Sequence, residues 1–237
     1  MIDDQEQRID MKFIAHRGLS ALAPENTMAA FRLAAEQEAF DGIECDIHVT
    51  ADGLFAVTHD RSLKRMTKED IDVTSETFEK VSSITITSGK HVEDHPDERV
   101  PRLESFLDLC LSHGKTAVVE VKSVRSFDDL NDLLSLFESY VGLDVIVISF
   151  KIDILKYIRA LSDMPLQLLM DKFDEDSIYD ARVNRIDLSL LHRLVDRKLV
   201  ERLRREGFRI AVFTVDDDEG KTRFRELGID YLTTNIL

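Results

Sequence analysis

The sequence predicts an α/β protein with the architecture of a TIM (β/α)₈ barrel. Short apolar runs alternate with amphipathic stretches along most of the 237 residues, which is typical of a largely parallel sheet. Eight such runs match the number of strands that closes this barrel. A doubly wound open sheet is the alternative, but no glycine-rich phosphate loop follows the first apolar run, which disfavours it.

The predicted strands and helices follow one another in a nearly regular order. Helical periodicity with a terminal glycine marks two of the helices most clearly. The predicted strands lie at 12–16, 42–49, 54–59, 116–122, 144–150, 166–171, 208–216 and, more weakly, 185–190. The predicted helices lie at 26–39, 103–114, 127–140, 152–162 and 194–207.

The link between the second and third strands is too short for a regular barrel. Only residues 50–53 separate the two runs, whereas a parallel crossover needs about a dozen residues or more. Either the runs form a hairpin, or the end of the second strand bends out of the barrel. In a hairpin centred on Asp52 and Gly53, Asp46 would lie opposite His59. We therefore expect the barrel to be irregular at strands 2 and 3.

A long polar connection follows the third strand. Residues 61–101 exceed the usual length of a loop, and long loops are commonly functional. We predict a small insertion over one mouth of the barrel, within a single domain that spans residues 1–237. Residues 1–10 are polar and predict a dispensable amino-terminal extension, so either Met1 or Met11 can be the functional start.

Composition and charge narrow the classes of partner. A net charge of -15 disfavours nucleic acid and anionic membrane surfaces. No apolar run approaches the roughly 20 residues of a membrane span, and the polar amino terminus does not resemble a signal peptide. Cys45 and Cys110, the only cysteines, fit reduced core residues better than a disulfide framework. We expect a cytoplasmic protein without stable membrane insertion.

Polar side chains of several predicted strands point to one mouth of the barrel. Glu44, Asp46 and His48 share one face of their strand because side chains alternate with a period of two. Functional residues gather at the carboxyl ends of strands in such barrels. His48 is expected to be structural or supporting, and a metal role for His91 or His95 is disfavoured. The candidate site comprises Glu44, Asp46, Glu120, His16, His59, Arg17 and Lys122.

These residue types suit a metal-assisted reaction of a phosphate ester. Carboxylate oxygens are ligands that Mg²⁺ and Ca²⁺ prefer, so Glu44, Asp46 and Glu120 are candidate metal ligands. Arg17 and Lys122 would attract a phosphate, and the two histidines would act as general base and general acid, in an order that the sequence leaves open. Without metal the carboxylates would repel one another, so Asp46→Asn is expected not to destabilise the protein in chelator.

The motifs of this site occur in a recognisable order. They read HRG (16–18), PENT (24–27), ECD (44–46), THD (58–60), EVK (120–122), VPRLESFLD (100–108), ISF (148–150), VFTVD (212–216) and GIDYLTTN (228–235). In order and spacing, over nearly the whole chain, they resemble the glycerophosphodiester phosphodiesterase family. The resemblance implies a TIM barrel with a small insertion after strand 3, and hydrolysis of glycerophosphodiesters to glycerol 3-phosphate and an alcohol.

The resemblance also implies roles for individual residues. It implies metal ligation of a divalent cation by Glu44, Asp46 and Glu120, and catalysis by His16 and His59. Arg17 and Lys122 correspond to the phosphate contacts of the family. Glu25 and Asn26 either cap the first helix or support the site, as the resemblance suggests, and Phe213 is a possible wall of the substrate pocket.

The chain departs from the family pattern at four positions. Phe213 stands where Trp is usual, Arg102 where Thr is usual, and Asp216 where Asn is common. The final motif, usually Thr-Asp, reads Thr234-Asn235. None of these changes removes a predicted catalytic group, but all of them can reshape the pocket for the alcohol.

Other interpretations of the same residues stay open. An isolated Glu-x-Asp is more often a solvated strand edge, although apolar neighbours make an unpaired carboxylate costly here. A phospholipase-like enzyme acting on lysophospholipids or sphingolipids would need exposed apolar loop tips. A non-catalytic barrel that only binds a phosphodiester would lack an essential group. The sequence leaves the preferred alcohol, the resident metal and the oligomeric state open.

Overall fold

A computed structural model describes residues 10–237, in which strands and helices alternate. The strands are β1 (Lys12–Ala15), β2 (Gly42–Val49), β3 (Phe55–Val57), β4 (Thr116–Ser123), β5 (Val145–Ser149), β6 (Leu166–Met170), β7 (Asp187–Leu191), β8 (Ile210–Phe213) and β9 (Tyr231–Thr234). The helices are α1 (Met28–Ala35), α2 (Phe78–Ser82), α3 (Leu103–His113), α4 (Asp128–Ser139), α5 (Ile152–Leu161), α6 (Glu175–Val183), α7 (Arg197–Arg205) and α8 (Asp218–Glu226). Nearly all of the predicted dispensable extension, residues 1–9, lies outside the described residues.

The sheet closes because β1 pairs with strands from both ends of the chain. Ile14 of β1 is in parallel register with Gly42 of β2, and Ala15 with Thr234 of β9. The remaining strands follow in the order β9, β8, β7, β6, β5, β4 and β2. This closed parallel barrel of eight strands confirms the predicted TIM barrel and excludes the open doubly wound sheet.

The predicted set of barrel strands is wrong at one position. The run at 54–59 forms β3, which pairs antiparallel with the end of β2 and lies outside the closed barrel. The eighth barrel strand is β9, a four-residue strand with too few apolar residues to predict from sequence. The predicted helices also lack α6 and α8, because EDSIYDARV and DEGKTRFRE are mostly polar and show little apolar periodicity.

The predicted hairpin between β2 and β3 is present, but its register differs from the prediction by one residue. Ile47 lies opposite Val57, and the Thr58 N–H donates to the Asp46 carbonyl at 2.9 Å. Asp46 therefore lies opposite Thr58 and not His59. The reason is the loop: the Thr50 N–H donates to the Leu54 carbonyl at 2.9 Å, which leaves residues 51–53 at the tip, and Gly53 has φ 85. Glycine in this left-handed conformation is typical of three-residue hairpin loops.

The pairing of β2 with β4 is also irregular. Asp46 is in register with Glu120 of β4, but the register then shifts and His48 aligns with Ser123. Of the two geometries that the sequence left as alternatives, the hairpin is the one that the strand pairing shows. Because β3 runs antiparallel to β2, the loop that follows β3 lies at the carboxyl end of the barrel.

The insertion predicted after the third strand is present between β3 and α3. It contains the short helix α2 and three single turns of 3₁₀ helix, at Leu63–Arg65, Val73–Ser75 and Val92–Asp94. Its backbone is anchored to the barrel, since Ala56 of β3 forms a bridge with Arg102. It covers a separate buried apolar cluster, formed by Ala56, Leu63, Val73, Val81, Ile84 and Val100.

The main core lies between the barrel and its helices. Phe31 of α1 and Phe106 of α3 pack there with ring centroids 4.7 Å apart. Cys45 on β2 and Cys110 on α3 are buried free thiols in this layer. Because β2 side chains alternate, the outward position of Cys45 turns Glu44 and Asp46 toward the barrel interior. Within residues 10–237, no helix is long and apolar enough to cross a membrane.

Candidate active site

The loop after β1 is folded tightly against the first helix. Arg17 and Asn26 both have left-handed backbone conformations, at φ 55 and 56, and the Asn26 N–H donates to the Arg17 carbonyl at 3.0 Å. Gly18 has φ 79, and a Cβ at this position would lie 2.6 Å from the carbonyl carbon of Ala30. The loop can therefore pass this close to α1 only with glycine at position 18, and it holds Arg17 at the mouth of the barrel.

Three buried carboxyl groups meet inside this mouth. Glu44 and Asp46 project from β2, and Glu120 projects from the neighbouring β4 at the level of Asp46. The relative exposure of these residues is 3%, 1% and 7%. Each offers one oxygen such that the three oxygens lie within 4.8 Å of one another. The structure thus brings together the three predicted metal ligands.

Two basic side chains lie against these acids. The Lys122 ammonium is 2.7 Å from Glu120 Oε1 and 3.0 Å from Asp46 Oδ1. Arg17 Nε is 3.1 Å from Asp46 Oδ2, and the Arg17 backbone N–H donates to Glu44 Oε2 at 2.9 Å. The two predicted phosphate contacts therefore share one site with the acids.

The acids differ in how easily they ionise. Burial and the charge of Asp46 raise the pKa of Glu44 well above its ordinary value, and the same two causes raise the pKa of Glu120 to about 7. Burial also acts against ionisation of Asp46, but the charges of Lys122 and Arg17 outweigh it and hold its pKa below the ordinary range. Asp46 is thus the acid that the two cations keep ionised, while burial beside Asp46 disfavours the ionised forms of Glu44 and of Glu120, even though Lys122 contacts Glu120.

Glu25 and Asn26 support the site from the β1–α1 loop. Glu25 Oε1 accepts from Arg17 Nη1 at 2.8 Å, and Asn26 Nδ2 donates to Asp46 Oδ2 at 2.7 Å. The neighbouring Thr27 caps α1, since its hydroxyl accepts from the Ala30 N–H. Position 27 thus caps the helix, while Glu25 and Asn26 contact the acids and the arginine of the site.

Each of the two candidate catalytic histidines has a different partner for its Nδ1 atom. His16 Nδ1 is 2.8 Å from the amide oxygen of Asn235, at the end of β9. His59 Nδ1 is 2.7 Å from a carboxylate oxygen of Asp60. Burial and the positive charge of Arg17 lower the pKa of His16, so that its imidazole is neutral near pH 7.

His48, Asp60 and, from the insertion, Arg65 complete the surroundings of His59. His48 is buried, with Nδ1 2.7 Å from Ser123 Oγ and Nε2 3.0 Å from the His59 carbonyl, so it holds the loop that carries His59. Asp60 and Glu25 both accept hydrogen bonds from Arg65. Arg65 is not among the predicted site residues, because a single arginine in a polar insertion gives no signal. Asp60 could have been found from the THD motif.

A second group of acids lies elsewhere. His91, Glu93 and Asp94 form an exposed cluster on the insertion. Nothing buries or orients these side chains, and exposed acidic groups occur on most protein surfaces. The cluster is separate from the site at the barrel mouth.

The mouth opens into a cavity of about 300 Å³ with two chemically different sides. On the apolar side, the rings of Phe150 and Phe213 meet edge to face with centroids 6.2 Å apart. Phe213 thus lines the cavity, as the sequence suggested. The polar side is lined by His16, Arg17, Glu44, His59, Glu120 and Lys122, and the apolar side by Ile148, Phe150, Leu169, Leu191 and Phe213.

Solved structures of similar shape come from phosphodiesterases. The chain superposes with a TM-score of 0.88 on an Oleispira antarctica phosphodiesterase, solved in complex with the product sn-glycerol-3-phosphate, at 21% identity over 94% of this chain and 92% of that one. It superposes with a TM-score of 0.76 on glycerophosphodiester phosphodiesterase from Thermotoga maritima, at 22% identity over 95% and 94% of the two chains. At this level of identity the likeness shows the fold.

Sequence relatives carry the same name. Glycerophosphodiester phosphodiesterase from Caldanaerobacter subterraneus is 28% identical over 94% of this chain and 93% of its own. Glycerophosphodiester phosphodiesterase 1 of Mus musculus is 40% identical over 46% of this chain, and the matched part is 33% of that relative's length. The model of the glycerophosphoryl diester phosphodiesterase family matches residues 16–236. This chain therefore belongs to the glycerophosphoryl diester phosphodiesterase family.

Proposed function

We propose that this protein hydrolyses glycerophosphodiesters to glycerol 3-phosphate and an alcohol, with the help of one divalent cation. The observation that carries the proposal is the convergence of two carboxyl groups, two basic side chains and two histidines on one cavity, with the third carboxyl group, Asp46, within 4.8 Å of the other two. Membership of the family supports this reaction, and the product complex of the Oleispira antarctica relative supports a glycerol 3-phosphate moiety.

The donor set fits Mg²⁺ or Ca²⁺. Glu44, Asp46 and Glu120 offer oxygen ligands, as hard divalent cations require. Two of these acids have a raised pKa because they are buried beside another acid, and a bound cation would favour their ionised forms. When bound, such an ion polarises a phosphoryl oxygen and stabilises the charge that develops there.

Arg17 and Lys122 are proposed to bind the phosphate. Both line the cavity and carry positive charge beside the proposed metal ligands. Arg17 is preorganised on two sides, because its Nη1 donates a hydrogen bond to Glu25 and its Nε forms an ion pair with Asp46. A planar guanidinium fixed in this way can present two donors to two phosphate oxygens, whereas the Lys122 ammonium acts as a point charge.

His16 and His59 are proposed to transfer the protons. One histidine takes a proton from the attacking water as the water oxygen bonds to phosphorus. The other gives a proton to the alcohol oxygen as the bond between phosphorus and that oxygen breaks. Both histidines line the cavity, and each has its Nδ1 atom occupied by a side-chain partner. The Nε2 atoms are therefore the ones available for proton transfer.

An assay with purified protein tests the proposal. Glycerophosphocholine, glycerophosphoethanolamine and glycerophosphoinositol would each be incubated with Mg²⁺, Ca²⁺ or Mn²⁺, and glycerol 3-phosphate would be measured enzymatically. We expect release of glycerol 3-phosphate that chelator abolishes, and loss of about 10²–10⁴-fold in turnover in His16→Ala and in His59→Ala. His113→Ala, at the exposed end of α3, is the matched control and should keep full activity. Binding of the diesters without turnover would instead support a non-catalytic barrel.

One observation also favours a phospholipase-like activity. The apolar side of the cavity ends at Phe150, which is 46% exposed, and Phe173 after β6 is 44% exposed. These residues supply the apolar loop tips that a lipid-like alcohol would need, although the insertion itself is charged. Lysophosphatidylcholine tests this alternative: a higher kcat/KM on it than on glycerophosphocholine, reversed in Phe150→Ser, would favour the lipid substrate.

The domain organisation and location also stay predictions. We propose that residues 1–237 form one catalytic domain and that the polar extension of residues 1–10 is dispensable, as truncation to Met11 with unchanged activity would show. The cytoplasmic location rests only on the character of the sequence, and fractionation of cells would test it.

A further inference from the structure

Asn235 is held in one orientation by Asp216. The Asn235 side-chain amide donates from Nδ2 to Asp216 Oδ2 at 2.7 Å, and its backbone N–H donates to Asp216 Oδ1 at 2.8 Å. The Thr234 hydroxyl is 3.1 Å from the same Oδ1 atom. Because a carboxylate oxygen accepts hydrogen bonds, the NH₂ end of the Asn235 side chain must face Asp216.

The other end of the same amide then faces His16. Asn235 Oδ1 is 2.8 Å from His16 Nδ1 and accepts from the Ser20 hydroxyl at 2.8 Å. An amide oxygen has no proton to give, so the hydrogen bond to His16 forms only if Nδ1 carries the proton. The backbone N–H of His16 also donates to the Thr234 carbonyl at 2.9 Å, which ties this part of the β1 end to β9.

We propose that Asn235, oriented by Asp216, is a positioning residue that fixes His16 as the tautomer with a proton on Nδ1 and a lone pair on Nε2. This tautomer makes His16 a proton acceptor toward the cavity. In the reaction proposed above, on which this inference rests, the proton of the attacking water goes to His16 Nε2. His59, whose Nδ1 is held by the Asp60 carboxylate, then supplies the proton to the leaving alcohol oxygen.

The partners of the two histidines support this division of roles. A carboxylate stabilises a protonated imidazole more than a neutral amide does. His16 Nδ1 is held by an uncharged acceptor, the Asn235 amide oxygen, whereas His59 Nδ1 is held by the Asp60 carboxylate. The Asp216–Asn235 pair acts from outside the cavity lining, so its effect on the reaction passes through His16.

A pair of variants separates orientation of His16 from a general structural role. In Asp216→Asn, the carboxylate acceptor that orients the Asn235 amide is lost, and the Ser20 hydroxyl, which contacts the other end of the amide, can accept as well as donate. The amide can then rotate and present its NH₂ group to His16 Nδ1. The ring would then carry its proton on Nε2 and could no longer accept one there. The double variant Asp216→Asn/Asn235→Asp exchanges the two side chains, keeps the hydrogen bonds between them and again offers an oxygen acceptor to His16.

The test measures the tautomer and the kinetics on the whole protein. Ring ¹⁵N spectra of histidine-labelled protein should show His16 protonated on Nδ1 and not on Nε2. Asp216→Asn should shift His16 toward the other tautomer and lower kcat on the order of 10–10²-fold, with KM for glycerophosphocholine little changed. The exchanged double variant should recover both the tautomer and much of kcat. Asp218→Asn, at a neighbouring exposed acid, is the control and should change neither.

Several results would overturn the inference. These are an Nε2-protonated His16 in the unmodified protein, a kcat loss in Asp216→Asn without a tautomer change, or no recovery in the double variant. If the unmodified protein hydrolyses no glycerophosphodiester, the proposed function fails, but its ring spectrum still decides the tautomer. The spectrum also answers the question if either variant does not fold.

Discussion

At the scale of single residues, the three acids of the site differ in how many cationic partners they have. Lys122 and Arg17 both contact Asp46, so Asp46 has two cationic partners. Glu44 and Glu120 are buried beside it with less compensation, and their pKa values are raised. The expectation that Asp46 carries the repulsion of the metal-free site is therefore not supported by this geometry. In the metal-free site, the electrostatic repulsion between the carboxyl groups instead acts mainly against the ionisation of Glu44 and Glu120.

The first prediction concerns stability in chelator. The folded-state pKa of Glu120 is about 7, above its ordinary value of 4.5. Because the folded state then binds more protons than the unfolded state, the free energy of unfolding should fall as pH rises from about 4.5 to about 7. In Glu120→Gln, this contribution to the pH dependence should be absent. At pH 8 the free energy of unfolding of Glu120→Gln should therefore be higher than that of the unmodified protein. Urea unfolding in chelator across this pH range measures both.

Asp46→Asn is the contrasting variant for this prediction. Removing its charge leaves Lys122 and Arg17 with fewer anionic partners inside the barrel, so the variant should be less stable than the unmodified protein in chelator. Mg²⁺ or Ca²⁺ should remove the pH-dependent fall of the unmodified protein and stabilise it by mass action. An equally steep fall in Glu120→Gln would contradict the role of Glu120.

The second prediction concerns the arginine fork. Arg17→Lys keeps the charge, but a single ammonium cannot hold Glu25, Asp46 and two phosphate oxygens at the same time. We expect kcat/KM for glycerophosphocholine to fall about tenfold or more, since a bidentate contact to phosphate is lost. Arg61→Lys is the matched control, because Arg61 pairs in the same forked manner with Asp72 but on the exposed insertion. Equal kinetics in Arg17→Lys and the unmodified protein would show that no bidentate contact is made.

At the scale of elements, the β1–α1 loop sets the positions of His16 and Arg17, two residues of the candidate active site. Arg17 and Asn26 have left-handed backbones, and the loop is closed by a hydrogen bond between them. Its approach to α1 depends on Gly18, which packs directly on the Ala30 backbone. A side chain there would have to displace the helix or the loop, and the loop carries His16 and Arg17.

The third prediction tests this close approach. Gly18→Ala should lower the melting temperature and reduce activity, because its Cβ would lie within 2.8 Å of three atoms of Ala30. Gly114→Ala is the control, since Gly114 has φ 62 but nothing within 4 Å of an added Cβ. The control should lose only the conformational cost of a left-handed residue, about 1–2 kcal/mol, and keep its activity. Similar losses in both variants would show that packing against α1 is unimportant.

At the scale of the whole molecule, ion pairs join the insertion to the candidate active site at the mouth of the barrel. Arg65 belongs to the insertion, Glu25 to the β1–α1 loop, and Asp60 to the loop after β3. Glu25 in turn contacts Arg17. A continuous line of alternating charges thus runs from the insertion to Arg17, a proposed phosphate contact, and it can set the positions of His59 and Arg17 together.

The fourth prediction follows from this line of charges. Arg65→Gln should lower kcat/KM on the order of tenfold through misplacement of Asp60 and Glu25, with little change in the free energy of unfolding. Stability should hardly change because Arg65 is 47% exposed and exposed ion pairs contribute little. Lys64→Gln is the control, since its neighbouring pair with Asp70 lies away from the cavity. A parallel drop in stability and activity would indicate a structural role instead.

Much of the fold and of the candidate site follows from local patterns in the sequence. Strand alternation predicted the barrel, and the period of two placed Glu44 and Asp46 on one face and Cys45 on the other. Local patterns did not predict β9 and α8, because these elements have few apolar residues. They also did not predict that Asp46 lies opposite Thr58, because the length of the loop sets that register.

What the sequence determined by itself is the chemistry of the site: which acids, bases and cations follow the strands, and in which order. The tertiary structure alone decided how their charges and protons are shared. Asp46 contacts both Arg17 and Lys122, and the register of β2 and β4 is what places it beside Glu120 and Lys122. His16 meets Asn235 across 219 positions of sequence because barrel closure pairs the first strand with the last. Hydrogen bonds and Coulomb forces act over a few ångströms of space, and only the closed barrel brings these residues within that range.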